Sequence, residues 1–525
     1  MSGSSQARPA IRLAELVAAL SLGVDLGFGQ PMEHVLRQCL IALRLAECVG
    51  LTEEERSDVF YTALLINVGC HSDAHEQAKW FGDDITLKSG KYDHELGSAA
   101  GALAMLRSVG RGNPPLHRFR VGIEFAVSGR RDLDGMIAQH AALARHLAEQ
   151  LGLSTGVQEA VGGAYEQWDG KGWPGKLKGD GIPIAARLDA IGEFTEVAHR
   201  IGGTAAAVAL ASKRAGSQFD PTLATSFCSS ADTILDELGT GGTWDALIQA
   251  EPALGLSLTE PEFDSALVAI AQFVDLKSPY TLGHARAVSE VAASAGSNLG
   301  LSEVEAVTLR RAGVIHGLGR LGVSNAIWDK RGPLGAGEWE RVRMHPYLTE
   351  RMLHQSTALA PLGALAVQLR ERLDGSGYPR GLSGGSIPVA ARVLAAADAY
   401  QAMCEPRPHR EARSPDVAAR ELRAEVKAGR MDGDAVEAVL RVAGHRTIRR
   451  REGPGGLTAR EVDVLRLASL GLSSREIATR LVISPKTARN HIEHIYVKIG
   501  VSNRAAASLF AVQHGLLPAE AEGAP

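Results

Sequence analysis

Few cysteines, few aromatic residues and no long apolar run limit the classes to which this protein can belong. Only five of the 525 residues are cysteine, and no two form a Cys-x-x-Cys pair, so a disulfide framework and a zinc ribbon are both disfavoured. No run of about 18 apolar residues is present to cross a bilayer, and charged residues interrupt the apolar segment after Ala10. We therefore expect a cytoplasmic protein with no membrane partner.

An overall excess of positive charge is also missing. With 56 Lys and Arg against 60 Asp and Glu, the net charge is −4, which excludes a uniformly basic nucleic-acid binder. The charge is nevertheless unevenly distributed. Residues 450–517 contain ten basic and five acidic side chains, a local net charge of +5 that favours contacts with phosphate groups.

Helical periodicity dominates the rest of the sequence. Strand-like alternation is scarce, and aromatic residues make up only 5% of the chain. Ala- and Leu-rich stretches with charges at helical spacing predict helices over residues 13–22, 35–49, 141–151, 285–299 and 418–426. We predict an all-α protein.

An internal repeat organises most of the chain. Residues 25–69 match residues 275–319 at an offset of 250, and residues 140–187 match residues 345–392 at an offset of 205. The difference between the two offsets predicts a 45-residue insertion in the first copy, somewhere within residues 70–140. The predicted organisation is copy 1 at 1–232, a connector at 233–262, copy 2 at 263–446, a glycine-rich linker at 447–456, a compact unit at 457–517 and a tail at 518–525.

Copy 2 carries polar residues spaced along its helices. Imidazoles and a carboxylate that converge from separate helices form the kind of site that a divalent transition metal needs. The candidates are His284, His316, His345 and Asp398. The pattern resembles the HD-GYP branch of the HD phosphohydrolases through segments 279–284 (PYTLGH), 315–320 (IHGLGR), 374–379 (DGSGYP) and 397–400 (ADAY).

That resemblance implies an HD-type helical fold for both copies. Members of that family hydrolyse cyclic dinucleotides with a water molecule held between metal ions, so the resemblance also implies this activity. Here Gly317 stands where the family has the aspartate of its His-Asp pair, and Leu369-Arg370 stands where it has two histidines. Because a bridging carboxylate and two imidazoles are lost, we assign no catalytic residue. The four candidates then form at most a vestigial site for Mn²⁺ or Fe²⁺.

Two arginines suggest a different ligand for copy 2. A guanidinium repels a metal ion and attracts phosphate oxygens. We therefore predict that Arg320 and Arg370 bind a cyclic dinucleotide or another small phosphate ligand. Copy 1 departs further from the family, because Ile66-Asn67 replaces its His-Asp pair and Glu193 replaces its final aspartate.

Simpler interpretations stay open beside these. Lone histidines on Ala-rich helices are commonly satisfied polar residues, and this interpretation is favoured for His34 and His140. Asp169 and Asp374 lie in Gly-rich turns, where their side chains are expected to cap backbone N–H groups. The tandem repeat also fits an active metal phosphodiesterase, or an oligomerisation scaffold that binds no ligand.

Residues 457–517 carry the signals of four short helices. Thr458 with Glu461 predicts a capped first helix, and Ser484-Pro485 predicts the start of a third. The short turn between the second and third helices predicts a helix-turn-helix whose third helix suits the major groove of DNA. The unit resembles the LuxR-type helix-turn-helix through segments 457–461 (LTARE), 475–478 (REIA) and 495–501 (IYVKIGV).

That second resemblance implies double-stranded DNA as a partner and a homodimer formed through the fourth helix. The candidate DNA contacts are Lys486, Thr487, Arg489, Asn490, His491, Lys498 and Arg504. We expect a transcriptional regulator whose tandem HD-GYP-like region senses a signal or controls dimerisation. The alternative is an active cyclic-dinucleotide phosphodiesterase fused to a DNA-binding domain.

Overall fold

The chain divides into two compact units, residues 1–445 and 446–525. The structure is a computed structural model that describes residues 11–92, 107–110, 115–125, 130–238, 241–252, 255–445, 454–481, 483–501, 503–514 and 516. Helices dominate these residues, which confirms the all-α prediction. The strand pairing described among them is a two-residue antiparallel contact between β1 (Ile11–Arg12) and β2 (Ser257–Leu258). No described helix is long and apolar enough to cross a membrane.

Copy 1 is built from helices that precede and follow the insertion. The helices up to the insertion are α1 (Leu13–Gly27), α2 (His34–Cys48) and α3 (Glu53–Leu65). The next region contributes α4 (Ala74–Phe81), α5 (Asp84–Ser89), the 3-10 turn Gly90–Tyr92 and α6 (Pro115–Glu124). Next come α7 (Arg130–Gln150), α8 (Thr155–Val161), α9 (Ile184–Arg214), α10 (Pro221–Ile234) and α11 (Thr243–Ala250).

Copy 2 follows the same plan without the insertion. Its first helices are α12 (Glu260–Asp275), α13 (His284–Asn298), α14 (Glu303–Ile315), α15 (Asn325–Trp328), α16 (Ala336–Arg343) and α17 (His345–Leu353). The last are α18 (Ala360–Ala366), α19 (Val389–Cys404), α20 (Pro415–Lys427) and α21 (Gly433–Val442). Helix α2 packs on α9 in copy 1, and α13 packs on α19 in copy 2.

The repeat extends to individual hydrogen bonds. In copy 1 the Asp25 carboxylate accepts a bond from the backbone N–H of Val35, with 3.0 Å between the heavy atoms. In copy 2 Asp275 accepts the equivalent bond from Ala285, also at 3.0 Å. The third helix of each copy also starts with the same capping box, Thr52 with Glu55 and Ser302 with Glu305.

The two copies also share a glycine at an aligned position where two backbones touch. A Cβ built on Gly319 would lie 1.9 Å from the carbonyl oxygen of His345, and one on Gly69 would lie 2.4 Å from that of His140. Real side chains never approach a backbone atom so closely, so both positions require glycine. These contacts bring the helix that contains each histidine, α7 or α17, against the turn that follows α3 or α14.

The segment 70–140, which contains the insertion, contacts copy 2 through a buried carboxylate. Asp84 begins α5 and is 0% exposed. It accepts bonds from the Ser324 hydroxyl at 2.6 Å and the Asn325 backbone N–H at 2.8 Å. Lys88 and Lys277 lie at 3.3 and 3.4 Å from the same carboxylate. These cations hold the pKa of Asp84 below its usual range against the opposing effect of burial.

The C-terminal unit is a small four-helix domain with its own hydrophobic core. Its helices are α22 (Ala459–Ser469), α23 (Ser474–Leu481), α24 (Pro485–Ile499) and α25 (Arg504–Gln513). The predicted caps are confirmed, since Thr458 and Glu461 form a capping box and Ser484 accepts a bond from the N–H of Thr487. The predicted tail, 518–525, and most of the linker lie outside the described residues.

Candidate functional site

Three of the four predicted metal ligands of copy 2 meet in its interior. His284 is the first residue of α13, His316 follows the last residue of α14, and Asp398 lies inside α19. The Asp398 Oδ1 atom lies 3.2 Å from Nε2 of His284 and 3.6 Å from Nε2 of His316. One ligand atom from each residue lies within 4.8 Å of the others, and all three side chains are buried. The group could therefore hold a metal ion.

The fourth predicted ligand, His345, is not part of this group. Its ring is buried between Trp328 and Tyr378, with centroid distances of 5.5 and 6.5 Å. Its Nδ1 atom donates to the carbonyl oxygen of Val342 at 2.7 Å. The hydrogen bond and the ring contacts give His345 a packing role in this arrangement.

A guanidinium lies against the same carboxylate. Nη2 of Arg370 is 3.0 Å from Oδ2 of Asp398. Although burial raises it, the pKa of Asp398 is held well below its usual range by Arg370, His284 and His316. Burial lowers the pKa of His316 to about 3, so its imidazole is neutral at ordinary pH.

The donors of this group fit one divalent ion and not two. Two neutral or partly paired imidazoles and one carboxylate are an ordinary set for a single transition metal. A two-metal site needs further carboxylate or imidazole ligands, and Gly317 and Leu369 offer none at the positions where the resemblance would place them. Arg370 also lies 3.0 Å from one oxygen of Asp398.

A cavity of about 530 Å³ opens next to the group. Its cationic lining residues are Lys277, Arg320, Lys330, Arg331, Arg370, Arg407 and Arg410, with His409 beside them. Three aromatic side chains also line it: Tyr280, Trp328 and Trp339. Asp329 is the acidic residue of the lining. Cations next to flat aromatic surfaces suit an anionic ligand that carries aromatic bases.

The two predicted phosphate-binding arginines both line this cavity. Burial and the nearby charge of Arg407 lower the pKa of Arg320 to about 10, and its Nε atom has no hydrogen-bond partner. Nε of Arg370 also lacks a hydrogen-bond partner. Buried donors without partners are costly, and an anion in the cavity would supply acceptors for them. Sequence reasoning missed Lys277 and Trp328, because the fold rather than a motif brings them here.

The copy 1 centre has a different composition. His34 pairs with Glu196, with 2.5 Å between Nδ1 and Oε2. Glu193, at the position of Asp398, pairs with Lys91 instead of with imidazoles. The polar residues of segment 70–75 contact different partners, since Asp73 pairs with His140 at 2.5 Å and His75 with Asp329 at 2.8 Å.

The C-terminal unit exposes most of its predicted DNA contacts. Lys486, Thr487, Arg489 and Asn490 are exposed on the first turns of α24, and His491 is half-buried. On the opposite side of that helix Ala488 and Ile495 are buried in the core. A polar, exposed N-terminal half is the surface that a recognition helix presents to base edges.

Lys498 and Arg504 have partners within the domain. Nζ of Lys498 lies 2.8 Å from Oε2 of Glu461, which places it on the capping box of α22. The guanidinium of Arg504 donates to the carbonyl oxygens of Ala468 and Leu472 at the end of the same helix. Both side chains therefore stabilise the domain, and Arg504 satisfies carbonyl groups that a helix end leaves without partners.

Family models match both units of the chain. The model described as HD domain matches residues 131–223 and 269–435. The model described as bacterial regulatory proteins, luxR family, matches residues 456–511. The two matches follow the order of the HD-type centre and the helix-turn-helix described above.

Curated proteins and solved structures show similarity over most of the chain. It is 30% identical over 420 residues to 3'3'-cGAMP-specific phosphodiesterase 3 of Vibrio cholerae serotype O1, and the match covers 79% of this chain and 91% of that protein. A cyclic di-GMP phosphodiesterase of Thermotoga maritima is 31% identical over 188 residues, covering 34% and 50%. A crystal structure of a cyclic GMP-AMP specific phosphodiesterase of V. cholerae matches with a TM-score of 0.58 and 25% identity, over 83% of this chain and 99% of that one.

Proposed function

The chain belongs to the same HD-domain family as the cGAMP phosphodiesterases and ends in a LuxR-type DNA-binding domain, and from this we propose that it is a transcriptional regulator controlled by a cyclic dinucleotide. In this proposal copy 2 binds the nucleotide and does not hydrolyse it at an appreciable rate. The C-terminal domain binds double-stranded DNA as a homodimer.

The cavity of copy 2 is the observation that carries the proposal. It combines Arg320 and Arg370 with the aromatic surfaces of Tyr280, Trp328 and Trp339. A cyclic dinucleotide has two phosphates and two bases, so it can use both kinds of surface. With a volume of about 530 Å³ the cavity lies within the usual range of small-molecule sites, roughly 300–1,000 Å³.

The ion pair between Arg370 and Asp398 supports sensing over hydrolysis. Hydrolysis in the family uses a water activated by metal ions, and Gly317 and Leu369 offer no ligand for a second ion at the positions where the resemblance would place one. Where a family enzyme would place metal charge near the phosphate, Arg370 places a guanidinium. It can bind the phosphate oxygens as an ion pair. Copy 2 would then bind the nucleotide without activating a water molecule to hydrolyse it.

Calorimetry with 3'3'-cGAMP and cyclic di-GMP on the full chain tests the binding. We expect saturable binding of at least one of them at one site per chain, with the nucleotide recovered intact afterwards. DNA affinity measured with and without the bound nucleotide tests the regulation, and a change in affinity is expected. Failure of both nucleotides to bind would contradict the sensing role and leave the DNA-binding assignment intact.

A second candidate function is a metal-dependent phosphohydrolase fused to the DNA-binding domain. The cluster of His284, His316 and Asp398 favours it, since these residues would hold a single Mn²⁺ or Fe²⁺ ion. When bound, such an ion would supply a Lewis acid next to a phosphate in the cavity. Metal content after purification and a turnover assay with 3'3'-cGAMP separate the two functions. Stoichiometric metal together with turnover would favour the enzyme.

A further inference from the structure

In copy 1 a side-chain ammonium lies against Glu193, the residue that aligns with Asp398 of copy 2. Nζ of Lys91 lies 2.7 and 2.9 Å from the two oxygens of Glu193 and 3.2 Å from Oδ1 of Asn67. Glu193 also accepts bonds from Asn67 at 2.8 Å and from the Tyr92 hydroxyl at 3.0 Å. The hydrogen bonds to this buried carboxylate thus come from Lys91, Asn67 and Tyr92, which all belong to copy 1.

Aromatic rings surround the ammonium. Nζ of Lys91 lies 5.2 Å from the ring centroid of Tyr165, 5.7 Å from Phe194, 5.8 Å from Phe28 and 6.0 Å from Tyr92. A cation within about 6 Å of a ring face is attracted by the ring quadrupole. The Lys91 side chain is only 10% exposed, so this attraction is little screened by water. The site is shaped for an organic cation.

The position of this ammonium follows from the repeat. Glu193 aligns with Asp398 at the offset of 205, and Ile66-Asn67 aligns with His316-Gly317 at the offset of 250. Lys91 has no counterpart by either offset, because it lies between the aligned segments, within the residues 70–140 that contain the insertion. The carboxylate has therefore been kept in copy 1 while its imidazole partner of α14 has been replaced and a lysine has been added.

We propose that the centre of copy 1 is an ammonium site that the chain fills with its own Lys91. The covalently attached cation neutralises Glu193 and closes the centre to metal ions and to nucleotide phosphates. Copy 1 is then a fixed scaffold, and copy 2 is the part of the repeat that stays open to a ligand. This inference concerns copy 1 alone and does not depend on nucleotide binding by copy 2.

A double-mutant cycle on the full chain tests the pairing. The variants are Lys91→Met, Glu193→Gln and the double variant, compared by thermal unfolding followed by circular dichroism. Each single change leaves a buried charge without its partner, so each should lower Tm by several degrees. The double variant should lose clearly less than the sum of the two, and additive losses would overturn the proposal. Lys171→Met is the matched control, because Lys171 pairs with Asp169 at 2.8 Å while 80% exposed.

Rescue by an external amine tests the site itself. Lys91→Ala removes a group equivalent to n-propylammonium and leaves the surrounding aromatic rings in place. We expect n-propylammonium chloride to raise Tm of this variant by several degrees more than it raises Tm of the unmodified chain, with sodium chloride at equal ionic strength as the control. If Lys91→Ala yields folded protein only in the presence of the amine, the proposal is equally supported. Equal yields and equal Tm with amine and with sodium chloride would overturn it.

Discussion

Arg370 forms an ion pair with Asp398, with Nη2 and Oδ2 3.0 Å apart, while His284 contacts the other carboxylate oxygen, Oδ1. One oxygen of this carboxylate thus lies near two imidazoles, and the other lies near a guanidinium. Any metal ion at His284 and His316 has to compete with Arg370 for Asp398. The guanidinium should therefore weaken the binding of a metal cation in copy 2 and strengthen the binding of a phosphate.

Arg370→Ala should raise metal retention and weaken nucleotide binding. Removing the guanidinium frees one oxygen of Asp398 and removes like charge, so more Mn²⁺ should stay bound after desalting, as measured by mass spectrometry. A charge-assisted hydrogen bond of about 1.5–3 kcal/mol is lost, so the affinity for 3'3'-cGAMP measured by calorimetry should fall roughly ten- to hundredfold.

Arg380→Ala is the matched control for this change. Arg380 pairs with Glu350 at 2.6 Å on the surface and does not line the cavity. It should change neither measurement. If Arg370→Ala left metal retention and nucleotide affinity both unchanged, the role given to Arg370 would be wrong.

Asp84→Asn should strongly destabilise the HD region. The carboxylate is fully buried between Lys88 and Lys277, and its removal takes away the counter-charge that these two buried ammonium groups share. Breaking a buried ion pair from one side typically costs about 3–5 kcal/mol. Urea unfolding should show this loss, while Glu290→Gln in an exposed pair with Arg286 should change the free energy of unfolding by less than about 1 kcal/mol. A loss as small as that of the control would contradict the role of Asp84.

Sequence reasoning identified the His284, His316 and Asp398 group and the two arginines beside it, but not the buried charges of residues 70–140. His284, His316 and Asp398 could be found because each lies in a motif at a recognisable position. Lys91 and Asp84 could not, because both lie between the aligned segments, within residues 70–140, where no register with the second copy is given. Their importance arises from long-range packing, which local periodicity does not encode.

The helices were predicted more reliably than their ends. The stretch 141–151 predicted a helix that in fact begins at Arg130, within a segment whose polar residues hide the periodicity. In the C-terminal unit the agreement is closer, since Ser484 and Pro485 mark the start of α24 through their own chemistry. A capping residue is a local signal, and local signals are what a single sequence reports best.

The double change Arg489→Ala, Asn490→Ala should abolish sequence-specific DNA binding without destabilising the domain. Both side chains are exposed on the first turns of α24 and do not contribute to the core. Arg and Asn make bidentate contacts with guanine and adenine, each worth about 1–3 kcal/mol of discrimination. Selection of bound sequences from a random DNA pool, followed by mobility-shift titration, measures the loss. Unchanged specificity in the double variant would place the recognition surface elsewhere.

Arg504→Ala should instead destabilise the C-terminal unit without abolishing sequence-specific DNA binding. Its guanidinium satisfies the carbonyl oxygens of Ala468 and Leu472, so its loss leaves the end of α22 without these donors. We expect a loss of about 1–3 kcal/mol in the stability of the C-terminal unit. Thermal unfolding of the full chain, monitored by a probe in that unit, measures the change. A normal Tm together with weakened DNA binding would instead support the direct phosphate contact predicted from sequence.

Glu196→Gln should make the free energy of unfolding depend less on pH in the acidic range. Burial would raise the pKa of Glu196, but bonds from His34 at 2.5 Å and Arg37 at 2.7 Å lower it to about 2, from 4.5 in the unfolded chain. A depressed carboxyl pKa stabilises the fold above about pH 4.5, and this contribution, about 3 kcal/mol, is lost as pH falls towards 2.

The measurement is the free energy of urea unfolding at pH 6.0, 4.5 and 3.5. The difference between the unmodified chain and Glu196→Gln should be largest at pH 6.0 and shrink as the pH falls, because the protonated carboxyl group and the amide then become equivalent in charge. Glu290→Gln should show no such trend, since Glu290 is exposed and its partner Arg286 is exposed as well. A difference that stays constant across the three pH values would mean that Glu196 does not titrate with a depressed pKa.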